Sequence, residues 1–257
     1  MRSSRLVAVL AVVALGVAGC GGGDDAAASA SGPSGTLTVF AAASLTDVFT
    51  DLGRRLEDDH DGLTVQFAFA GSAALATQIT QGAPADVFAS ANGAQMSVVT
   101  DAGLADGDPT VFAGNVLQIA VPPGNPGGVT GLADFARAEL ALAVCAPEVP
   151  CGAAAEAVFA AAGVTPRPDT QEEDVRAALT KAELGEVDAA LVYATDVAVA
   201  GDRVEGIPFP EAEDAVTGYP LCTLAAAPNP GAARAFVDLV LSEEGQRVLG
   251  AAGFRGP

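Results

Sequence analysis

Positive charge is scarce in this 257-residue chain: 12 Lys plus Arg stand against 32 Asp plus Glu, and Lys181 is the only lysine. With a net charge of −20, the chain lacks the clustered cations that phosphate backbones require, so nucleic acid is not an expected partner. Histidine is just as rare. His60 stands alone within Glu57-Asp58-Asp59-His60-Asp61 and reads as a solvated helix end, which leaves no material for a histidine metal centre or a Ser-His-Asp triad. The four cysteines include no Cys-x-x-Cys pair, which removes dithiol redox catalysis. No motif gathers a base, a nucleophile and an orienting group, so the chain is not expected to be an enzyme and needs no cofactor. What is abundant is apolar. At 50% hydrophobic and 17% charged, the chain is not disordered and can bury one large domain or two smaller ones.

The first residues form a targeting pattern. Met1-Arg2-Ser3-Ser4-Arg5 is basic, and the apolar run 6–19 is too short to span a bilayer comfortably, as in a secretory signal covering 1–19. The run ends in Val17-Ala18-Gly19-Cys20, which resembles the lipobox of bacterial lipoproteins and implies lipid attachment at Cys20. Residues 20–35 are Gly-, Ala- and Ser-rich without apolar periodicity and read as a flexible tether of about 50 Å at full stretch. The expected location is the extracytoplasmic face of the cell membrane, held by the lipid.

From Thr36 onward, short β-branched runs alternate with Ala/Leu-rich helical stretches, the pattern of an α/β fold on largely parallel sheets. Candidate strands are 36–40, 63–69, 86–89, 117–121, 140–144, 188–193 and 221–226. Candidate helices are 44–59, 73–81, 93–102, 152–162, 174–184, 232–241 and 243–252. Turn-rich segments at 122–128 and 228–231 interrupt the pattern and suggest two lobes, 36–119 plus 227–257 and 120–226.

Four junctions carry the chemistry, each a strand end followed by small residues and a helix start. Phe40-Ala41-Ala42-Ala43-Ser44 places Ser44 as N-cap with Asp47 three residues on, as in a capping box. Phe69-Ala70-Gly71-Ser72 places Ser72 likewise. Val149-Pro150-Cys151-Gly152 opens a third helix and Glu172-Glu173-Asp174-Val175 a fourth. The unpaired amides and dipole of a helix start favour an anion. Asp47, Glu172, Glu173 and Asp174 oppose that attraction unless they stabilise their own helices and point to solvent, which is the expectation for them.

The stretches Ala41-Ala42-Ala43-Ser44-Leu45-Thr46-Asp47, Gly71-Ser72-Ala73-Ala74-Leu75 and Gln81-Gly82-Ala83-Pro84-Ala85-Asp86-Val87-Phe88-Ala89 resemble the substrate-binding proteins of molybdate ABC transporters. So do Ala113-Gly114-Asn115, Glu173-Asp174-Val175-Arg176, Val192-Tyr193-Ala194-Thr195-Asp196 and Ser242-Glu243-Glu244-Gly245-Gln246, in the right order. The resemblance implies a two-lobed periplasmic-binding-protein-like fold of type II, with two parallel-rich sheets and hinge crossovers. It further implies an oxyanion, molybdate or tungstate, held by Ser44 and Ser72 from one lobe and by the amides of Cys151 and Val175 with the Tyr193 phenol from the other. Molybdenum would enter only as that oxyanion, and the partners would be an ABC permease and its ATPase, met by a monomer. Cys151 stands where the family usually has Ala, a change that a backbone contact survives.

A donor-only pocket suits such ions. Molybdate, tungstate and sulfate carry no proton at neutral pH and only accept hydrogen bonds, whereas hydrogen phosphate also needs an acceptor. The mature chain's charge, 10 − 32 = −22 once Arg2 and Arg5 leave with the signal, opposes capture by about 9 kcal/mol if set ~20 Å from a dianion in unscreened water, but by under about 1 kcal/mol at a Debye length of ~8 Å. Sulfate or a small carboxylate remains an alternative cargo, although an organic anion calls for an Arg clamp and only Arg176 lies in these motifs. A tethered sensory or structural module is the alternative from another class. Among the cysteines beyond Cys20, Cys145 and Cys151 close a short loop that a disulfide could bridge, and Cys222 sits in an apolar run suited to a buried free thiol.

Overall fold

The structure is a computed structural model describing residues 32–257; the signal segment, Cys20 and nearly all of the tether lie outside the described residues. The described residues form ten strands: β1 Gly35–Ala42, β2 Leu63–Ala70, β3 Val87–Ala89, β4 Thr110–Asn115, β5 Leu117–Val121, β6 Leu142–Cys145, β7 Thr170–Glu172, β8 Ala189–Tyr193, β9 Glu205–Ile207 and β10 Thr217–Thr223. The helices among them are α1 Thr46–Asp59, α2 Ser72–Thr80, α3 Gly93–Asp101, α4 Pro150–Ala162, α5 Val175–Glu183, α6 Ala194–Ala200, α7 Pro230–Leu241 and α8 Glu243–Ala251.

The strands make two five-stranded sheets, ordered β2-β1-β3-β10-β4 and β7-β6-β8-β5-β9. One half of each sheet is parallel and carries βαβ units, while the strands beside the lobe crossings run antiparallel. Strand β5 directly follows β4 but pairs in the second sheet, and β10 returns to the first. The crossings therefore fall at Asn115–Leu117 and just before Thr217. This corrects the sequence-based boundaries 119/120 and 226/227. Those boundaries followed the Pro/Gly punctuation, but the chain changes lobes in extended stretches that need no turn residue. The strand expected at 221–226 likewise lies at Thr217–Thr223, because only its first residues find partners on β3 and β4. Strands β4, β7 and β9 and helix α6 were not expected; the last three are short, and β4 mixes Gly and Asn into its apolar run.

Each lobe buries helices on its sheet. In α1 the apolar residues Val48, Phe49, Leu52 and Leu56 recur at helical spacing and form its buried face, while Arg54, Asp58 and Asp59 stay polar. Phe49 packs edge-on against Phe236 of α7 at 5.3 Å and beside Phe112 of β4 at 5.7 Å. Gly53 on the same helix leaves room for the Phe67 ring, which a Cβ would meet at 2.7 Å. In α4 the Ala-rich face packs closely, and Gly163 ends the helix in the left-handed conformation at φ 64°.

The parallel strands position the site. Ala42 and Ala70, the last residues of β1 and β2, lie side by side in register, so both chains turn into their helices at the same edge. Strands β6, β7 and β8 do the same in the second sheet, and the carboxyl ends of parallel strands are where α/β folds leave a crevice. Phe49 is fully buried at the centre of the first core. Phe49→Ala should lower unfolding free energy by about 3–5 kcal/mol, read as a lower urea midpoint with an unchanged slope.

Candidate functional site

The two lobes meet around a small chamber in which the centre of a water-sized sphere has ≈ 20 Å³ to move. Its walls from the first lobe include Ala42, Ala43, Ser44, Gly71 and Ser72, and from the second Pro150, Cys151, Asp174, Val175 and Tyr193. All five residues expected at an anion site from the sequence, Ser44, Ser72, Cys151, Val175 and Tyr193, thus line one cavity. Among the described residues no lysine or arginine lines it, so the attraction these walls offer an anion comes from dipoles and hydrogen-bond donors.

The donors arise from four chain turns. Ser44 is the middle residue of a 3-10 turn over Ala43–Leu45 that leads into α1. Ser72 is the first residue of α2, Cys151 the second of α4 and Val175 the first of α5, so the intrahelical pattern offers their amides no acceptor. In α4 the first position is Pro150, which has no N–H to leave unpaired.

Neither serine is a helix cap, contrary to expectation. Gly71 takes the cap position of α2 and Ala42 that of the 3-10 turn, and neither start has a side-chain cap. The serine hydroxyls are instead engaged elsewhere in the fold: Ser44 Oγ lies 2.9 Å from the Tyr219 hydroxyl, and Ser72 Oγ accepts the Ala91 N–H at 3.0 Å. A local sequence rule assigns a cap to a serine before a helix because it cannot see a competing partner that is distant along the chain.

The acidic residues divide. Asp174 behaves as a helix-stabilising cap: one carboxylate oxygen accepts the Arg176 and Ala177 N–H groups at 2.8 and 2.9 Å, which leaves the Val175 amide uncommitted beside them. Asp47 departs from expectation. It makes no capping box and does not simply point to solvent; it accepts from Arg176 Nη2 at 2.6 Å across the cleft. Arg176 Nε also approaches Asp196 Oδ1 to 2.8 Å, though without the alignment of a hydrogen bond. Further contacts between the lobes are Gln95 Nε2 donating to Glu148 O at 2.9 Å and Gly71 packed on the Glu173 carbonyl, where a Cβ would collide. The lobes are in contact, with the chamber between them.

Tyr193 ends β8 and its side chain is buried. No hydrogen bond reaches its phenolic oxygen, an orphan in the chamber wall. Burial pushes its pKa well above the ordinary tyrosine value, and the neighbouring Thr217 and Tyr219 hydroxyls offset this only in part, so the group stays protonated. One turn on, Asp196 is fully buried, and its Oδ2 accepts the Tyr193 N–H at 3.2 Å. Burial raises its pKa to about 6 against the opposing pull of Arg176.

Cys145 and Cys151 are joined by a disulfide with Cα atoms 5.6 Å apart, tying the end of β6 to the first turn of α4 at the chamber wall. Cys222 is a buried free thiol near Met96 Sδ at 3.6 Å, and burial pushes its pKa up to about 12. Sequence reasoning left Asp196, Tyr219, Asn115 and Thr195 without roles. Three of the four lie in motifs already singled out, whereas Tyr219 carries no local signal.

Because the folded-state pKa of Asp196 exceeds its unfolded value of about 4, the folded chain binds the extra proton between about pH 4 and pH 6. Its contribution to stability therefore rises as pH falls through that window and is lost as pH rises through 6. Melting temperatures of wild type and Asp196→Asn, taken from pH 4 to pH 7.5, should differ by this slope, present in wild type and missing from the variant.

Known proteins share this architecture. Residues 37–255 match the family model described as bacterial extracellular solute-binding protein. The molybdate-binding protein ModA of Mycobacterium tuberculosis is 41% identical over 251 residues, covering 97% of this chain and 96% of that protein. Among solved structures, the periplasmic molybdate-binding protein of Azotobacter vinelandii superposes with a TM-score of 0.73 at 20% identity, over 86% of this chain and 99% of that one. The sulfate-binding protein SubI of Mycobacterium tuberculosis gives 0.74 at 19% identity, over 86% of each chain. These two structures share the fold, and the family's description puts its members outside the cytoplasm. The chain belongs to the bacterial extracellular solute-binding proteins and groups there with the molybdate-binding ones.

Proposed function

We propose that the chain is a receptor that closes around molybdate or tungstate and delivers it to an ABC permease driven by its ATPase. One observation carries this: the orphaned, fully buried Tyr193 hydroxyl shares a small chamber with the hydroxyls and amides of Ser44 and Ser72 and the amides of Cys151 and Val175. The set offers donors from both lobes to one point. A proton-free tetrahedral dianion takes many donors and returns none, whereas hydrogen phosphate brings a proton that these groups leave unpaired. Asp174, the one carboxylate that the described residues place in the wall, is engaged by two amides of its own helix. Charge-assisted hydrogen bonds contribute about 1.5–3 kcal/mol each, so five or more support micromolar to nanomolar binding after closure and desolvation. The identity to molybdate-binding relatives favours molybdate over sulfate, which has the same hydrogen-bonding chemistry.

In this reading the ion draws the lobes together by hinge motion at the two crossings, and Asp47 with Arg176 forms part of the closed contact. The receptor is held to the outer face of the membrane through lipid on Cys20. Among the described residues no helix is long and apolar enough to cross a membrane.

Titration calorimetry with molybdate, tungstate, sulfate and phosphate tests the cargo. Molybdate and tungstate should bind most tightly and phosphate should not compete; tight phosphate binding without molybdate binding would refute the assignment. Tyr193→Phe should weaken molybdate by about 1–2 kcal/mol without lowering the melting temperature, and an unchanged affinity would take Tyr193 out of the site. Cys20→Ala should release the protein from the membrane fraction in the native host, where wild type sediments with it.

A further inference from the structure

Ser44 is useful to a proton-free anion only if its hydrogen points into the chamber and its lone pairs are engaged elsewhere. The fold contains a chain of groups that imposes that direction. It begins at Asn115, the last residue of β4 and the start of the forward crossing. Its Oδ1 accepts the Val116 N–H at 3.0 Å, which turns the amide NH2 the other way. One hydrogen of that NH2 goes to Thr195 Oγ1 at 2.8 Å, and the nitrogen makes a longer 3.5 Å approach to the Tyr219 hydroxyl. Tyr219 sits on β10, the first strand after the return crossing. The 2.9 Å contact between the Tyr219 hydroxyl and Ser44 Oγ can run in either direction; with the Asn115 NH2 directed at the Tyr219 oxygen, the order that uses both contacts has Tyr219 donate to Ser44. In that order Ser44 spends one of its two lone pairs on Tyr219 and keeps its hydrogen free for the chamber that it lines.

All four side chains are buried, so water does not scramble the order. Burial holds the Tyr219 proton on its oxygen, since it raises the phenol's pKa well above the ordinary tyrosine value. Ser72 reaches the same state by a shorter route, because the Ala91 N–H fills its oxygen. Both hydroxyls in the wall are thereby set as donors.

We propose that Tyr219 and Asn115 are positioning residues that determine specificity: they fix the polarity of Ser44, so that the site accepts proton-free tetrahedral oxyanions and rejects those carrying a proton. This rests on the oxyanion reading above and adds two residues that line no part of the chamber. Tyr219→Phe keeps the ring and its packing against Phe112, Phe254 and Tyr193 while freeing the Ser44 lone pairs to accept a phosphate proton. Asn115→Asp supplies an acceptor in place of the NH2; it draws the Tyr219 proton away from Ser44, and Ser44 then donates to Tyr219 and offers lone pairs to the chamber.

The test is titration of wild type, Tyr219→Phe and Asn115→Asp with molybdate, sulfate and phosphate at pH 7.5, with circular dichroism melting as the check on folding. The ratio of phosphate to molybdate affinity should rise about tenfold or more in Tyr219→Phe and further in Asn115→Asp, while the ratio of sulfate to molybdate stays within about twofold. An equal loss for all three anions in folded Tyr219→Phe would overturn the polarity role and reduce Tyr219 to packing. Should Asn115→Asp not fold, Tyr219→Phe alone decides between these outcomes. Failure of wild type to bind any of the three ions would instead overturn the oxyanion reading itself.

Discussion

The structure depends on backbone amides left without acceptors. Every helix start leaves several N–H groups unpaired, and an α/β sheet collects such starts along the carboxyl edge of its parallel strands. Here two sheets present those edges to each other, so that the starts of α2, α4 and α5 and the turn before α1 face one chamber. Neutral dipoles gather where a charged pocket would have needed arginine or lysine. A chain with 32 acidic residues can thus hold a local donor cluster without reversing its overall charge.

Keeping that cluster free requires every nearby acceptor to be engaged elsewhere. Asp174 is engaged by Arg176 and Ala177 amides, Asp47 by the Arg176 guanidinium across the cleft, and Asp196 by the Tyr193 amide and Arg176. Arg176 therefore serves two carboxylates, one fully buried and one about half exposed. The exposed arm is screened by solvent and contributes little by itself. Its consequence is geometric, since it links α1 of the first lobe to α5 of the second beside the Val175 amide. The disulfide from Cys145 to Cys151 restrains the third donor turn in a comparable way, from within its own lobe.

Much of the fold was legible because its signals are local. The α1 stripe of Val48, Phe49, Leu52 and Leu56 follows helical spacing, and the runs at β5 and β8 are apolar and nearly continuous, as buried strands should be. The five chamber residues were found through motif order and not through any single junction. Failures came where partners are distant in sequence. Ser44 and Ser72 looked like caps until Tyr219 and Ala91 were seen at their oxygens. The lobe boundaries were drawn at proline and glycine clusters because strand pairing between β10 and β4 leaves no trace in the residues near Thr217.

The amino-acid sequence by itself determined the alternation of strands and helices, the four junctions rich in small residues, the acidic balance and the spacing of Cys145 and Cys151. Each of these follows from periodicity or composition within a short window. Only the tertiary structure decided which junctions meet, that Asp47 reaches Arg176, that Tyr193 is buried with no partner, and that Ser44 Oγ meets the Tyr219 hydroxyl. Those depend on groups separated by 129 residues for Asp47 and Arg176 and 175 for Ser44 and Tyr219. Hydrogen-bond direction and burial are properties of such long-range neighbours, and only packing of the folded chain brings them together.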